Sequence, residues 1–245
     1  MERGRPTHRK VTAPRRWPPW VTWTLRLAAG WVVATALPVL AMRWINPPTT
    51  VFILEREAAA RAHPNPKFHV EQLWVPRSRI STQMVHALIA SEDARFLEHH
   101  GFDWDAMAAA LEDRVEGKSK RGGSTLSQQV AKNLFLWPAR SWVRKGLEAW
   151  FTLLLELLWS KERILEVHLN IAEYGDGVYG VETAARRYFQ KSAAALTLEE
   201  ASQLVVVLPA PKSRHPNALT ARQLERAAWV REQVARLGPE RFEGL

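Results

Sequence analysis

Glu92 is a carboxylate that falls among apolar residues, in the stretch SEDARFLEHHG, residues 91–101. Steps of three and four residues predict its neighbours on one helical face, which are Val85, Leu88, Ile89 and Phe96. A carboxylate on such a face must be paired, turned towards a cleft, or used in chemistry. Beside a cleft its pKa would rise towards neutral pH, which suits a general base. The alternative is a partly exposed glutamate paired with an arginine at the edge of the stripe.

A second group of polar residues lies in RGGSTLSQQVAKN, residues 121–133. Two glycines precede Ser124 and Thr125, either of which can cap a helix, and Thr125 with Gln128 has the spacing of a capping box. Such a helix start presents free backbone N–H groups and a positive dipole end, which together suit a phosphate. Lys132 follows Gln128 by one turn. The alternative is a well-capped amphipathic helix with a solvated lysine, and the GxxxxGK[ST] spacing of a P-loop is absent.

A third group lies in RSWVRKGLEAW, residues 140–150, where Arg140, Arg144 and Glu148 are each four residues apart. One interpretation is a surface ladder of helical ion pairs, each of which contributes a few tenths of a kcal/mol. The other is a substantially buried helix, because apolar residues recur at the spacing of a core-facing stripe. The members of that stripe are Val143, Leu147, Trp150 and Phe151.

The charge of the chain is concentrated at its N-terminus. The formal net charge is +9, but residues 1–26 hold seven Lys or Arg and one acid, so the remaining chain carries only +3. This localisation argues against nucleic acid as a partner of the main domain. The chain has no cysteine, which excludes disulfides, zinc–thiolate sites and thiol nucleophiles.

A long apolar run follows the basic tail of residues 1–19. Residues 20–44 are long enough to span a bilayer if Arg26 extends to the headgroups, and tryptophans flank both ends. The bases of the tail predict a cytoplasmic N-terminus and an extracytoplasmic main domain. The alternative is a signal peptide cleaved after residues 34–36, but the apolar run continues beyond that site.

The rest of the chain reads as a connector, residues 45–81, and a mainly α domain, residues 82–245. In the connector, VFIL at 51–54 suggests a short extended piece. The segment 146–159 carries two glutamates and is too short for a second span, so we expect a core helix. The predicted helices cover about 82–98, 104–115, 125–136, 141–159, a segment from 161 closed by Gly175, 181–189, 196–208 and 219–237.

These stretches resemble the motifs of the peptidoglycan glycosyltransferases of family 51. SEDARFLEHHG is similar to Glu-Asp-x-x-Phe-x-x-His-x-Gly, GGSTLSQQVAKN to Gly-x-Ser-Thr-x-x-Gln-Gln-x-x-Lys-Asn, and RKGLE to Arg-Lys-x-x-Glu. The stretch KERILEVHLNIAEYGDGVYGVETAARRYF resembles the fourth conserved block of that family, and LTLEEASQLVVVLPAPKSRHPN is a further match. Two departures are His168, where the family usually has tyrosine, and Ser127, where threonine is common.

The resemblance implies a mainly α, lysozyme-like glycosyltransferase domain behind one N-terminal transmembrane helix. It implies that lipid II, the undecaprenyl-pyrophosphoryl disaccharide-peptide, is added to a growing lipid-linked glycan chain at the bacterial inner membrane, with the catalytic domain in the periplasm. Neither Ser-x-x-Lys nor Lys-Thr-Gly occurs, so no transpeptidase domain is expected. Partners among cell-wall synthesis or division proteins stay open, and no nucleic acid is expected.

The resemblance also implies the site. Glu92 is the expected general base that acts on the acceptor 4-hydroxyl. Glu148 is the expected second catalytic carboxylate, which either orients the Lys and Arg side chains or holds a divalent ion. No cofactor is required, although magnesium or manganese stays an open question, and we assign no metal ligands. The expected substrate-binding residues are Asp93, Phe96, His99, Gly123, Ser124, Thr125, Gln128, Gln129, Lys132, Asn133, Arg140, Arg144 and Lys145.

Two other functions fit parts of the pattern. A membrane-anchored, lysozyme-like hydrolase would use Glu92 as general acid, but hydrolysis of a sugar–sugar bond does not require a cluster of Lys and Arg side chains. A non-catalytic scaffold for anionic polymers fits only the total charge, which belongs mainly to the tail. A pyrophosphate leaving group, in contrast, needs positive charge, so the pattern favours transfer.

Overall fold

The structure, a computed structural model, describes residues 17–65, 68–117, 123–139 and 141–242. The basic residues of the tail and Arg140 therefore lie outside the described residues. The chain divides into two units, residues 1–38 and 39–245. The described part is mainly helical, so the predicted fold class is confirmed.

Helix α1, Pro19–Ala41, occupies the apolar run. Its 23 residues have a mean hydropathy of 1.6 over the best window, and almost none of that window is buried. Among the described residues it is the one helix long and apolar enough to cross a membrane. Pro38 lies near its end, where few helical hydrogen bonds depend on it.

Helix α2, Val51–Ala62, lies in the predicted connector. The expectation of an extended piece at 51–54 is wrong, because VFIL forms the first turn of this helix. Thr50 caps it by accepting a hydrogen bond from the Ile53 N–H, and the alanines and glutamates that follow favour helix. Thr50 was the sequence signal for a helix here, and it outweighed the preference of the β-branched residues Val51 and Ile53 for an extended conformation.

The remaining helices follow the predicted order. The helix pairs that pack most closely are α3 with α9 and α10, and α5 with α6 and α7. The site elements α3 and α5 are therefore supported from behind by the C-terminal helices and by α7. Their bounds are α3 Thr82–Glu92, α4 Trp104–Val115, α5 Leu126–Phe135, α6 Trp142–Leu158, α7 Lys161–Ile171, α8 Val181–Phe189, α9 Leu198–Val207 and α10 Ala221–Leu237.

A small three-stranded sheet accompanies the helices. It consists of β1 Glu71–Gln72, β2 Glu173–Gly175 and β3 Val178–Tyr179, in the order β1-β3-β2. Strand β1 pairs parallel to β3, and β2 pairs antiparallel to it. The expectation that Gly175 closes the preceding helix is wrong: α7 ends at Ile171, and Gly175 belongs to β2.

Helix α3 is shorter than predicted. It ends at Glu92 rather than near residue 98, so Phe96 does not share its face. Asp93 leaves the helical conformation because its carboxylate accepts hydrogen bonds from outside the helix. Phe96 is nonetheless fully buried, within the turn that follows the helix.

The most deeply buried face of helix α6 lies beside the predicted stripe. Val143, from the predicted core-facing stripe, is 71% exposed. The buried side carries Glu148, Thr152 and Leu155 instead. The other members of the stripe, Leu147, Trp150 and Phe151, are half-buried, and Phe151 stacks on Phe135 of α5 with ring centroids 4.5 Å apart. The predicted stripe is therefore partly buried, and the Glu148 carboxylate turns inward beside it.

Candidate active site

Glu92 is the last residue of α3, and it lines a cleft. The helix begins at the Ser81 cap, and its buried face, with Val85 and Leu88, anchors it against α9 and α10. This packing carries the apolar stripe inward and leaves the Glu92 side chain partly exposed at the helix end. The cleft is lined by Glu92, Asp93, Ala94, Arg95, Asp103, Ala106, Gly123, Ser124 and Thr125.

The turn after Glu92 is locked by Asp93 and His99. Asp93 Oδ1 lies 2.9 Å from His99 Nε2, and Asp93 Oδ2 accepts a hydrogen bond from the Leu126 N–H at 3.0 Å. His99 Nδ1 accepts from the Gly101 N–H at 3.2 Å, which leaves Nε2 as the donor to Asp93. These two predicted site residues therefore join the end of α3 to the start of α5.

The N-terminus of α5 is already occupied by protein groups. Thr125 is the N-cap, and its capping box with Gln128 is confirmed. The Leu126 N–H bonds Asp93, the Gln128 N–H bonds Thr125, and Thr125 Oγ1 donates to the Gly101 carbonyl at 2.6 Å. Two of the N–H groups on which a phosphate was expected are therefore bonded to protein side chains, and phosphate binding at this helix start stays a prediction. Ser124 remains exposed at the cleft, beside Gly123.

Gln129 connects Glu92 to the interior. Its Nε2 donates to Glu92 Oε2 at 3.0 Å, and its Oε1 lies 3.0 Å from His168 Nε2 on α7. Burial raises the pKa of Glu92, and the Gln129 hydrogen bond opposes that rise in part. The carboxyl is thus held by a neutral amide and made more basic than an ordinary glutamate, which is the property of a general base.

Glu148 forms a separate cluster with cations. Its side chain is 4% exposed; Oε2 accepts from Arg144 Nη1 at 3.0 Å, and Oε1 accepts from Lys145 Nζ. Arg144 Nε is buried and has no hydrogen-bond partner among the described residues. The interpretation as a solvated surface ladder is wrong for Arg144 and Glu148, because their side chains are only 12% and 4% exposed. Arg140, the third member of the predicted ladder, lies outside the described residues.

Lys132 interacts electrostatically with both carboxylates. It is partly exposed on α5, next to Asn133, which is also partly exposed. Burial lowers the pKa of Lys132, while Glu148 and, more weakly, Glu92 raise it. The structure therefore brings the predicted base, the predicted cations and the second carboxylate around one lysine.

Three predicted site residues take supporting positions. Phe96 is fully buried beneath the Lys161 ammonium, which lies 4.4 Å from its ring centroid. Gln128 and Thr125 are almost fully buried in the capping box. In this conformation their polar groups hold the floor of the cleft in place rather than facing a substrate.

Several residues near the site had no assigned role in the sequence. His168 appeared there only as a departure from tyrosine, although it lies one turn after the buried Ile164 on α7. Tyr174 is fully buried, and burial followed by the nearby Glu92 charge raises the pKa of its hydroxyl. Arg226 of α10 lowers the pKa of Glu92 and donates to the Ser91 carbonyl at 3.4 Å. Only spatial proximity reveals Tyr174 and Arg226.

Divalent-cation binding stays an untested expectation. Within the described ranges, no group of three or more His, Asp or Glu side chains is arranged to hold a metal ion. Both oxygens of Glu148 are engaged by cationic side chains, so this carboxylate does not fit the role of a metal ligand in this arrangement.

Comparison with known proteins identifies the family of the chain. Residues 61–235 match the family model described as transglycosylase. A biosynthetic peptidoglycan transglycosylase of Pseudomonas savastanoi pv. phaseolicola is 48% identical over 225 residues, covering 90% of this chain and 92% of that protein. One of Shewanella oneidensis is also 48% identical, covering 89% and 92%. One of Xanthomonas euvesicatoria pv. vesicatoria is 42% identical, covering 94% and 93%. The chain therefore belongs to the transglycosylase family, together with these biosynthetic peptidoglycan transglycosylases.

Proposed function

We propose that this protein is an inverting peptidoglycan glycosyltransferase that polymerises lipid II. The observation that carries the proposal is the pair of contrasting carboxylates. Glu92 opens into a cleft with a raised pKa and a neutral hydrogen-bond partner, while Glu148 is buried among cations. A transfer that creates an anionic leaving group requires this division between a proton acceptor and a positively charged cluster.

Glu92 acts on the acceptor sugar. Its carboxylate takes the proton of the acceptor 4-hydroxyl as that oxygen attacks the anomeric carbon of the donor. The bond between that carbon and the pyrophosphate oxygen breaks, and its electron pair leaves with undecaprenyl pyrophosphate. In-line attack on an α-linked donor gives a β-1,4 bond, so the anomeric configuration inverts.

Lys132, Arg144 and Lys145 receive the negative charge of the leaving group. The buried Arg144 Nε has an unused hydrogen, and a phosphate oxygen is an acceptor that would satisfy it. Glu148 holds Arg144 and Lys145 in one place and limits their mutual repulsion. We assign it this orienting role, and the three cations supply the charge that a divalent ion would otherwise bring.

The membrane anchor suits a substrate that is itself tethered to a bilayer. With α1 in the membrane, enzyme and lipid-linked substrates meet at high effective concentration. We propose a cytoplasmic N-terminus, because the bases of the tail favour that side, and a catalytic domain on the periplasmic face of the inner membrane. A periplasm-dependent reporter fused after Leu245 should be active, and activity of only a cytoplasmic reporter would contradict this orientation.

Radiolabelled lipid II tests the reaction directly. We expect polymeric glycan together with free undecaprenyl pyrophosphate, produced by the full-length protein in detergent. Shortening of a supplied glycan without polymer formation would instead establish a hydrolase with Glu92 as general acid. We also propose that the chain acts without transpeptidation, since the transpeptidase motifs do not occur in its 245 residues. Cross-linked peptides in the product would contradict that.

A further inference from the structure

His168 is a fully buried polar residue that contacts the site through Gln129. It lies on α7 and is 1% exposed. Its Nε2 is 3.0 Å from Gln129 Oε1, and Gln129 Nε2 is in turn 3.0 Å from Glu92 Oε2. An unbroken chain of two hydrogen bonds therefore runs from the interior to the reacting carboxyl.

The direction of these hydrogen bonds follows from donor and acceptor chemistry. An ionised Glu92 only accepts, so the Gln129 amide must turn its NH2 group towards it and its oxygen towards His168. His168 must then donate from Nε2. Burial, followed by the nearby Lys132 charge, lowers the pKa of His168 to about 3, so the ring is neutral at neutral pH and has a single N–H. His168 Nδ1 has no partner among the described residues, which agrees with the proton residing on Nε2.

We propose that His168 is a positioning residue for the transfer reaction, because its Nε2–H fixes the orientation of the Gln129 amide that holds Glu92. This inference rests on the proposed function, in which Glu92 is the base. Gln129 occupies Glu92 Oε2, and among the described residues no hydrogen bond reaches Oε1. Oε1 is thus the oxygen left to take the acceptor proton, and Oε2 keeps its hydrogen bond before and after that step.

The opposite amide orientation would favour the opposite chemistry. If Gln129 turned its oxygen towards Glu92, only a protonated carboxyl could satisfy it, and Glu92 would be held as an acid. A His168 that can only accept at Nε2 would stabilise that arrangement. The tautomer of one buried imidazole therefore selects between a base, which transfer needs, and an acid, which hydrolysis needs.

The proton affinity of Glu92 depends on groups from several elements, and the test must separate His168 from them. Arg226 and Lys132 favour the ionised carboxylate, and the neighbouring Asp93 disfavours it. The buried Tyr174 faces it from β2. Replacement of His168 leaves all four side chains in place, so their charges are the same in the wild type and the variant.

The experiment compares His168→Leu with His168→Gln in full-length protein polymerising lipid II. Leucine removes the donor, whereas glutamine places an amide N–H near the position of Nε2. For His168→Leu we expect kcat to fall about ten-fold with KM for lipid II nearly unchanged, because the base is misplaced while the cations are intact. The acid limb of the kcat/KM profile should move to higher pH, because the hydrogen bond that opposes protonation of Glu92 is weakened. His168→Gln should recover most of kcat and return the limb towards the wild-type pH.

Two further variants exclude a purely structural effect. Leu165→Ala truncates another fully buried side chain of α7 and should lower Tm without moving the pH profile. Gln129→Leu should produce the same acid-limb shift as His168→Leu, and the double variant should lose no more than either alone.

The inference is overturned if His168→Leu keeps the wild-type acid limb and loses no more kcat than Leu165→Ala. It is also overturned if the losses of His168→Leu and Gln129→Leu multiply, since independent sites would do that. A wild-type protein that polymerises lipid II while the variants show either result refutes the positioning role alone. A wild-type protein that forms no polymer refutes the proposed function, and the positioning role falls with it.

Discussion

Glu92 and Glu148 are the same residue type in two adjoining regions with opposite surroundings. Glu92 ends a helix, is partly exposed, and accepts its hydrogen bond from a neutral amide. Glu148 lies within a helix, is almost fully buried, and has both oxygens bound to cations. The Glu92 carboxyl therefore faces a cleft that a substrate can enter, whereas both oxygens of Glu148 are engaged by cations of its own helix.

This difference indicates how one fold separates proton transfer from charge stabilisation. The Gln129 amide holds Glu92 without supplying a full charge, so the carboxyl keeps its affinity for a proton. Glu148 instead binds Arg144 and Lys145 with its two oxygens and holds these cations together. Lys132, between them, responds to both carboxylates. Variants that alter one of the two regions and leave the other intact test this difference.

The largest effect is expected for Glu92→Gln. The substitution keeps size and hydrogen bonding but removes proton acceptance, so turnover should fall about 10³–10⁴-fold while lipid II binding persists. A raised carboxyl pKa means that the ionised form costs stability at pH values above it, so this variant should melt at or slightly above the wild-type temperature at neutral pH. Steady-state polymerisation and calorimetry test both parts, and retention of a tenth of wild-type turnover would refute the assignment.

The next largest effect is expected for Lys132→Ala. Loss of a cation that stabilises the departing pyrophosphate should reduce turnover about 10²–10³-fold and weaken affinity for pyrophosphate-bearing donors. Lys132→Arg should also be damaging, because a planar fork replaces a compact ammonium. Competition by inorganic pyrophosphate measures the affinity. Normal polymerisation by a normally folded Lys132→Ala protein would remove this helix from the donor site.

Glu148→Gln should affect both activity and stability. Without the carboxylate, Arg144, Lys145 and Lys132 repel one another, and the buried Arg144 loses its partner. We expect turnover to fall about 10²-fold and the free energy of unfolding to fall by about 2 kcal/mol, less than for a fully buried pair because Lys145 is 44% exposed. Denaturant unfolding measures the free energy of unfolding. If stability were unchanged, the contrast with Glu92 would be lost.

The smallest effect is expected for Glu232→Ala, which serves as the control for helical spacing. Glu232 and Arg236 of α10 are also four residues apart, but their side chains are 63% and 70% exposed, and the closest atoms are 3.6 Å apart. Removal of this pair should change the free energy of unfolding by about 0.3 kcal/mol and leave polymerisation intact. A cost equal to that of Glu148→Gln would mean that spacing, rather than burial, sets the strength of these pairs.

The sequence predicts those parts of the molecule that depend on local rules. The Thr125–Gln128 capping box and the order of helices α3 to α10 follow from spacing and caps, and they are confirmed. The end of α3 could not be predicted, because Asp93 stops it by bonding Leu126, which lies 33 residues further along the chain. The inward face of α6 was also beyond local rules, since it is set by the packing of α6 against α5. His168 shows the same limit: its position was noted, but its contact with Gln129 is made only in three dimensions.

The bond between Asp93 and the Leu126 amide has a consequence for the motions of the cleft. Because the first turn of α5 is capped by a side chain from the end of α3, neither element can fray without releasing the other. Thr125 adds a second tie through the Gly101 carbonyl. The Leu126 amide hydrogen should therefore exchange with solvent as slowly as the amides in the middle of α5, in place of the fast exchange usual for a first helical turn. If the ends of α3 and α5 open only together in this way, Glu92 stands at the edge of one cooperative unit, and slow exchange at Leu126 would show it.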